Sequence, residues 1–182
     1  MNDALSIIMS RSSVRAFKSD AIQSELWDTL LRAAMAAPSA VNCQPWEFVA
    51  IRDRGMLEAF AAALPYAKMA AEAGGALVAC ALPEKAFQGS REFAVIDTSL
   101  ACENFLLAAA SLGLGAVWTA LYPEADREAS ARRILGIPDS VIPLAFIPIG
   151  YPADEAPMNR FARTRASTDE CLTWLGIDPG KG

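Results

Sequence analysis

Ser10-Arg11-Ser12-Ser13-Val14-Arg15 sets two guanidiniums around two hydroxyls near the start of the chain. A guanidinium holds phosphate in a bidentate fork, and serine hydroxyls add neutral donors to the same oxygens. A plainer reading competes with this. Arg11 and Arg15 lie four apart and suit a solvated helix face, and Ser12-Ser13 suits an N-cap pair. A second stretch, Pro38-Ser39-Ala40-Val41-Asn42-Cys43-Gln44-Pro45-Trp46, places Ser39, Asn42 and Gln44 in an otherwise apolar chain. Together the two stretches suggest a grip on a phosphorylated, planar cofactor.

Working outward, 182 residues fit one domain, 1–182, with a substantial core. Apolar residues make up 53% and charged residues 20%. That apolar excess hints at a surface covered by a partner subunit. The net charge of −5 argues against nucleic acid as a partner. The basic residues gather toward the ends: Arg11, Arg15 and Lys18, then Arg160, Arg163 and Arg165. No stretch of about 18 uninterrupted apolar residues occurs, so no membrane span is expected. Met1-Asn2-Asp3-Ala4 does not open a secretory signal. Cys43, Cys80, Cys102 and Cys171 are scattered, which disfavours structural zinc and a disulfide framework; reduced cytoplasmic thiols are the simplest account. The chain has no histidine. That removes the usual general base and the Ser-His-Asp and Cys-His arrangements. A cofactor is therefore expected to carry the hard chemistry.

Hydrophobic periodicity predicts helices over 3–10, from Ser24 (as cap) to about Ala37, over 54–63, over 93–112 and over 125–135. In the long helix, Ile96, Leu100, Phe105, Leu107 and Ala108 are expected to face inward. Strands are expected at 47–51, 76–82, 116–121 and 144–150. Pro148 suggests an edge or a bulge in the last of these. Gly113-Leu114-Gly115 follows a helix and precedes a strand, so it reads as a helix stop. A short amphipathic piece is expected around Cys171. Neither G-x-G-x-x-G after a first strand nor G-x-x-x-x-G-K-[ST] is present. The order fits a central sheet wrapped by helices, not a dinucleotide fold.

Four segments in order carry a resemblance. They are Arg11 to Arg15 with Phe17; Pro38 to Trp46; Asp97 to Asn104 leading into Leu112-Gly113-Leu114-Gly115 and Val117-Trp118-Thr119; and Leu135-Gly136-Ile137-Pro138 through Pro148-Ile149-Gly150-Tyr151-Pro152. The chain resembles the nitroreductase family of flavin-dependent oxidoreductases in its short single-domain form. The resemblance implies an α+β fold: a central mixed or antiparallel sheet of four to five strands in a three-layer α-β-α arrangement. It implies a homodimer with FMN at the interface, and a tail, 151–182, that wraps the partner. It also implies ping-pong hydride transfer from NAD(P)H through the flavin N5 to nitroaromatics, quinones or related small-molecule electrophiles.

By the same resemblance, Arg11 and Arg15 bind the FMN phosphate and ribityl chain beside Ser12 and Ser13. Pro38 and Ser39 lie on the ring from the other subunit, and Asn42 donates to the ring edge. Gln44 either helps or braces the loop. The backbone of Thr119, Ala120 and Leu121 reaches the N5 region, although many relatives have glycines near Ala120 and Leu121. Arg160, or in its place Arg163, returns to the phosphate. Tyr66 and Lys68 fall in a segment near the active site, and Trp118 reads as core. No side chain is assigned as catalytic and no metal is expected. Two other readings stay open. One is a specialised flavin enzyme of the same fold, for flavin fragmentation, dehalogenation or azoline oxidation, with 83–91 as a substrate cover. The other is a flavin-binding module without turnover.

Overall fold

The computed structural model describes residues 3–153 and Cys171. Arg160, Arg163, nearly all of the tail and the rest of the segment around Cys171 lie outside the described residues.

Five strands make one sheet: β1 (Trp46–Ile51), β2 (Gly75–Ala81), β3 (Gly115–Ala116), β4 (Thr119–Ala120) and β5 (Ile142–Gly150). The order is β1-β2-β5-β3, with β4 also paired to β5, and every pair is antiparallel. β2 and β5 are buried along their whole length, which explains their unbroken apolar sequences. Successive side chains alternate between the two faces. Leu77, Ala79 and Ile147 pack with Trp27, Leu30, Phe105 and Ala109 of α2 (Ser24–Met35) and α4 (Arg91–Ser111). Ala76, Val78 and Phe146 pack with Leu57, Phe60 and Ala131 of α3 (Arg54–Ala63) and α5 (Ala125–Leu135). The result is three layers, α-β-α. Phe60 and Phe146 stack at 4.3 Å and 11° in the second core.

Several expectations need correction. Ser24 is the first helical residue of α2, not its cap. Gln23 holds the extended cap conformation, with no side-chain bond to the helix. The strand expected over 116–121 is split into β3 and β4. Pro148 lies inside β5, which is flanked by β2 on one side and β3 and β4 on the other, so it is not on an edge strand. Its carbonyl accepts from Val117 N at 3.2 Å. The N–H that proline lacks would point the same way, toward the gap between β3 and β4, so the missing donor falls where the neighbouring ladder is already interrupted.

α4 spreads its apolar residues over more than one face; Phe105 faces inward as expected, but Ile96 and Leu100 do not. Ala94, Asp97, Thr98, Ala101, Cys102, Phe105 and Ala109 are buried, whereas Ile96 and Leu100 are 54% and 43% exposed. Small residues at 94, 98, 101 and 102 let the helix lie close against the sheet and α2, so the bulkier Ile96 and Leu100 turn outward. By length and composition alone α4 is long enough to cross a membrane. It is half buried inside the fold, where Asp97 and Thr98 bond to backbone.

α1 (Asp3–Ser10) is followed by a strap that closes over the sheet edge. Ser13 bridges Ala116 in parallel, Val14 N donates to Ala116 O at 3.1 Å, and Phe17 bridges Pro152. Gly115 permits this crossing, because a Cβ there would stand 2.6 Å from Val14 Cγ1.

Candidate functional site

The strap covers the outer edge of β3 but stops short of β4. Leu121 N donates to Leu144 O, and Val117 N to Pro148 O. Antiparallel alternation then turns the polar groups of 117, 119 and 121 toward β5 and those of 118 and 120 away from it. Ala120 therefore presents its N–H and carbonyl on an open edge. A cleft of about 220 Å3 lies there. Arg15, two residues beyond the Ser13 bridge, lines it together with Tyr66, Trp118, Thr119, Ala120 and Arg127.

Arg127 donates from Nη1 to the Ala120 carbonyl at 3.2 Å. Its guanidinium lies over the Tyr66 ring, 5.5 Å from the centroid. Among the described residues neither Arg15 nor Arg127 is in an ion pair. Two guanidiniums without carboxylate partners beside a free backbone donor form an anion-seeking site. Arg11 differs: its Nε is 3.4 Å from Glu103 Oε1 of α4. Ser12 and Ser13 sit in the strap between the two arginines, with Ser13 held by its backbone bridge.

The second stretch forms a separate, strained loop. Val41, Asn42 and Gln44 take φ of 44°, 58° and 50°. Such values are costly for residues other than glycine, most of all for a β-branched valine. Local bonds hold the loop in this shape. Ser39 Oγ accepts from Gln44 N at 2.9 Å, and Asp97 Oδ2 accepts from Ala40 N at 3.1 Å. Asp97 is 3% exposed, so α4 anchors the loop from within the core. Gln44 Nε2 donates to Asn42 Oδ1 at 3.1 Å, which leaves the Asn42 Nδ2 free to donate. Pro38 stands just before the loop, and Val41 at its tip is 73% exposed.

Of the residues expected at the site, Arg15, Thr119 and Ala120 converge on the cleft. Leu121 is fully buried and its N–H is used in the sheet. Pro38, Ser39, Asn42 and Gln44 are on the strained loop. Arg127 escaped sequence reasoning. It looks like any charged residue of a polar helix, and only its contacts with the distant Tyr66 ring and the Ala120 carbonyl distinguish it. Asp97 and Asn104 act as anchors, since Asn104 Nδ2 donates to Ala33 O at 3.1 Å. Cys80 and Cys102 are pushed up to about 12 by burial, so neither is a nucleophile near neutrality. Among the described residues no group of His, Cys, Asp and Glu could hold a metal.

The nitroreductase family model matches two overlapping segments, residues 8–77 and 54–151. A Methanothermobacter thermautotrophicus protein named as an NADH dehydrogenase/NAD(P)H nitroreductase is 44% identical over 152 residues, covering 84% of this chain and 78% of that one. A crystal structure under the same name from Bacteroides thetaiotaomicron is 40% identical, with a TM-score of 0.85 and coverage of 96% of this chain and 98% of that one. A Desulfovibrio desulfuricans nitroreductase solved in complex with FMN is 26% identical, with a TM-score of 0.82 and coverage of 98% and 99%. The ordered motifs, the three-layer fold and these relatives agree, and the chain belongs to the nitroreductase family as an oxidoreductase enzyme.

Proposed function

We propose that the protein is an FMN-dependent oxidoreductase that takes electrons from NAD(P)H and passes them to nitroaromatics, quinones or related electrophiles. The observation that carries this is the cleft: Arg15, in no ion pair among the described residues, beside the open β4 edge at Ala120, whose carbonyl Arg127 holds. These residues fit FMN, whose phosphate needs fixed cations and whose ring edge needs a backbone donor. Bound FMN supplies the two-electron hydride chemistry, with NAD(P)H as donor. Arg15 holds the anionic part of the cofactor, with Arg11 joining it by leaving Glu103. The Ala120 N–H addresses the ring edge, and Arg127 together with Leu144 O holds the adjoining 120–121 peptide in place. Tyr66 and Trp118 supply apolar walls that limit water in the cleft.

The working form is a homodimer, with Ser39 and Asn42 of one subunit reaching the flavin held by the other. Support comes from the exposed stripe Phe93, Ile96 and Leu100 on α4 and from Leu5, Ile8 and Met9 on α1. A run of large apolar side chains on helices marks a surface made to be covered. A cytoplasmic location agrees with the four free cysteines.

The test is direct. Purified protein is expected to be yellow, to release FMN on denaturation, to elute as a dimer, and to oxidise NADH or NADPH when given a quinone or nitroaromatic. Colourless protein that binds no added FMN refutes the proposal.

A further inference from the structure

Arg127 is the third residue of α5 and is half-buried. A guanidinium carries five N–H donors in a planar fork. One of those donors is engaged with the Ala120 carbonyl. The carboxylates of α5 and its N-cap do not neutralise Arg127. Glu128 is bound to Arg132 at 3.1 Å, and Glu124 and Asp126 are exposed and outside ion-pair distance of it. Arg127 thus brings spare donors and a full charge to the cleft.

Its stacking partner is unusual in the opposite sense. Tyr66 is 70% exposed, yet its ring is held against the guanidinium. The stack and the Ala120 bond together fix a long side chain that would otherwise sample many rotamers. A cation fixed in advance loses little freedom when it takes an anion. Arg15 reaches the cleft from the strap, whereas Arg127 comes from α5 and Tyr66 from the segment after α3; the single bond from Arg127 to Ala120 leaves its remaining donors for an incoming anion.

We propose that Arg127, braced by Ala120 and Tyr66, selects the exchanging substrate by charge, taking a carboxylate or phosphate oxygen of the molecule that enters the cleft beside the cofactor. This rests on the FMN-dependent reading above. The anion has two sources, the phosphates of the nicotinamide dinucleotide and an acid group on the acceptor. A ping-pong enzyme lets them be separated, because each binds in its own half-reaction.

The experiment is stopped-flow kinetics on the holoenzyme and its Arg127→Gln variant, which removes the charge and keeps a polar side chain. The reductive half-reaction compares NADH and NADPH with the neutral 1-benzyl-1,4-dihydronicotinamide. The oxidative half-reaction compares 4-nitrobenzoate with nitrobenzene. The anionic-to-neutral ratio of second-order rate constants is expected to fall about tenfold in one half-reaction, as loss of one charge-assisted hydrogen bond predicts. A fall in the reductive arm assigns the anion to the dinucleotide, and a fall in the oxidative arm assigns it to the acceptor. Equal losses for charged and neutral partners, or no change in either ratio, overturn the proposal. Should Arg127→Gln not fold, Tyr66→Leu at an exposed position takes its place, with the ratio expected to fall a few-fold and an unchanged ratio counting against the proposal. Calorimetry of benzoate against benzyl alcohol on the purified protein keeps the two ideas apart. If no donor reduces any acceptor, the FMN reading fails. Equal benzoate affinity in wild type and Arg127→Gln then sinks the charge-selection idea by itself.

Discussion

Replacing Gly115 with alanine tests how the strap that carries Arg11 and Arg15 is held. The added Cβ would lie 2.6 Å from Val14 Cγ1, 2.7 Å from Val14 Cβ and 3.0 Å from Val14 Cγ2, where ordinary contacts begin at 3.4 Å. Rotating the valine does not relieve this, because its Cβ is itself too close. The strap must move by about 1 Å, or β3 must. A buried overpacking of this kind costs about 1–3 kcal/mol. Loss of the Val14 N to Ala116 O bond would add about 1 kcal/mol. Arg11 and Arg15 flank Val14, so the same shift is expected to weaken FMN binding at least several-fold. The assay is urea unfolding followed by FMN titration of the variant. Val14→Ala in the same background removes both clashing methyls and is expected to restore part of the lost stability, giving a favourable coupling of about 0.5–3 kcal/mol. Wild-type stability and FMN affinity in Gly115→Ala, or additive losses in the double variant, would refute the strap argument.

Glu103→Gln frees Arg11 from its ion pair and is expected to tighten FMN binding about two- to five-fold, the range of a half-exposed pair; weaker binding by fluorescence titration would show that Arg11 does not serve the phosphate. Asp97→Ala strands the Ala40 N–H and releases the strained loop, with an expected loss of about 1–3 kcal/mol in denaturant unfolding and a lower FMN affinity. Burial raises the Cys80 and Cys102 thiols from 9.0 to about 12. Both stay protonated in the folded chain while the unfolded chain ionises, so their contribution is intact below pH 9 and is lost as pH rises toward 12. Native protein at pH 8 is accordingly expected to leave these two thiols unmodified by a thiol reagent, and to expose all four cysteines on unfolding. Ile96→Arg, on the exposed stripe of α4, is expected to yield monomers by light scattering.

The periodicity of α2, α3 and α5 and the apolar runs of β2 and β5 made the layers legible, because each of these elements has one dominant pattern. α4 defeated the same reasoning. A helix with apolar residues on more than one face has two candidate inward stripes, and only the small residues facing the sheet decide between them. The break between β3 and β4 is a three-dimensional compensation for Pro148 and leaves no local trace. Arg15, Thr119 and Ala120 could be picked out from the ordered motifs. The left-handed backbone at Val41 could not, since valine is among the residues least suited to it. Arg127 stayed hidden because its meaning lies in a ring and a carbonyl contributed by other elements.

The bridge from Phe17 to Pro152, with Lys18 N donating to Tyr151 O, ties the strap to the residues just past β5. During synthesis the strap is made before the sheet it closes, and it can dock fully only after more than a hundred further residues have been made. Such sequence-distant closure is entropically slow. Until β5 and the residues just after it are in place, the arginines of the strap lack this tie, so nucleotide capture is expected to follow closure of the sheet and not to precede it.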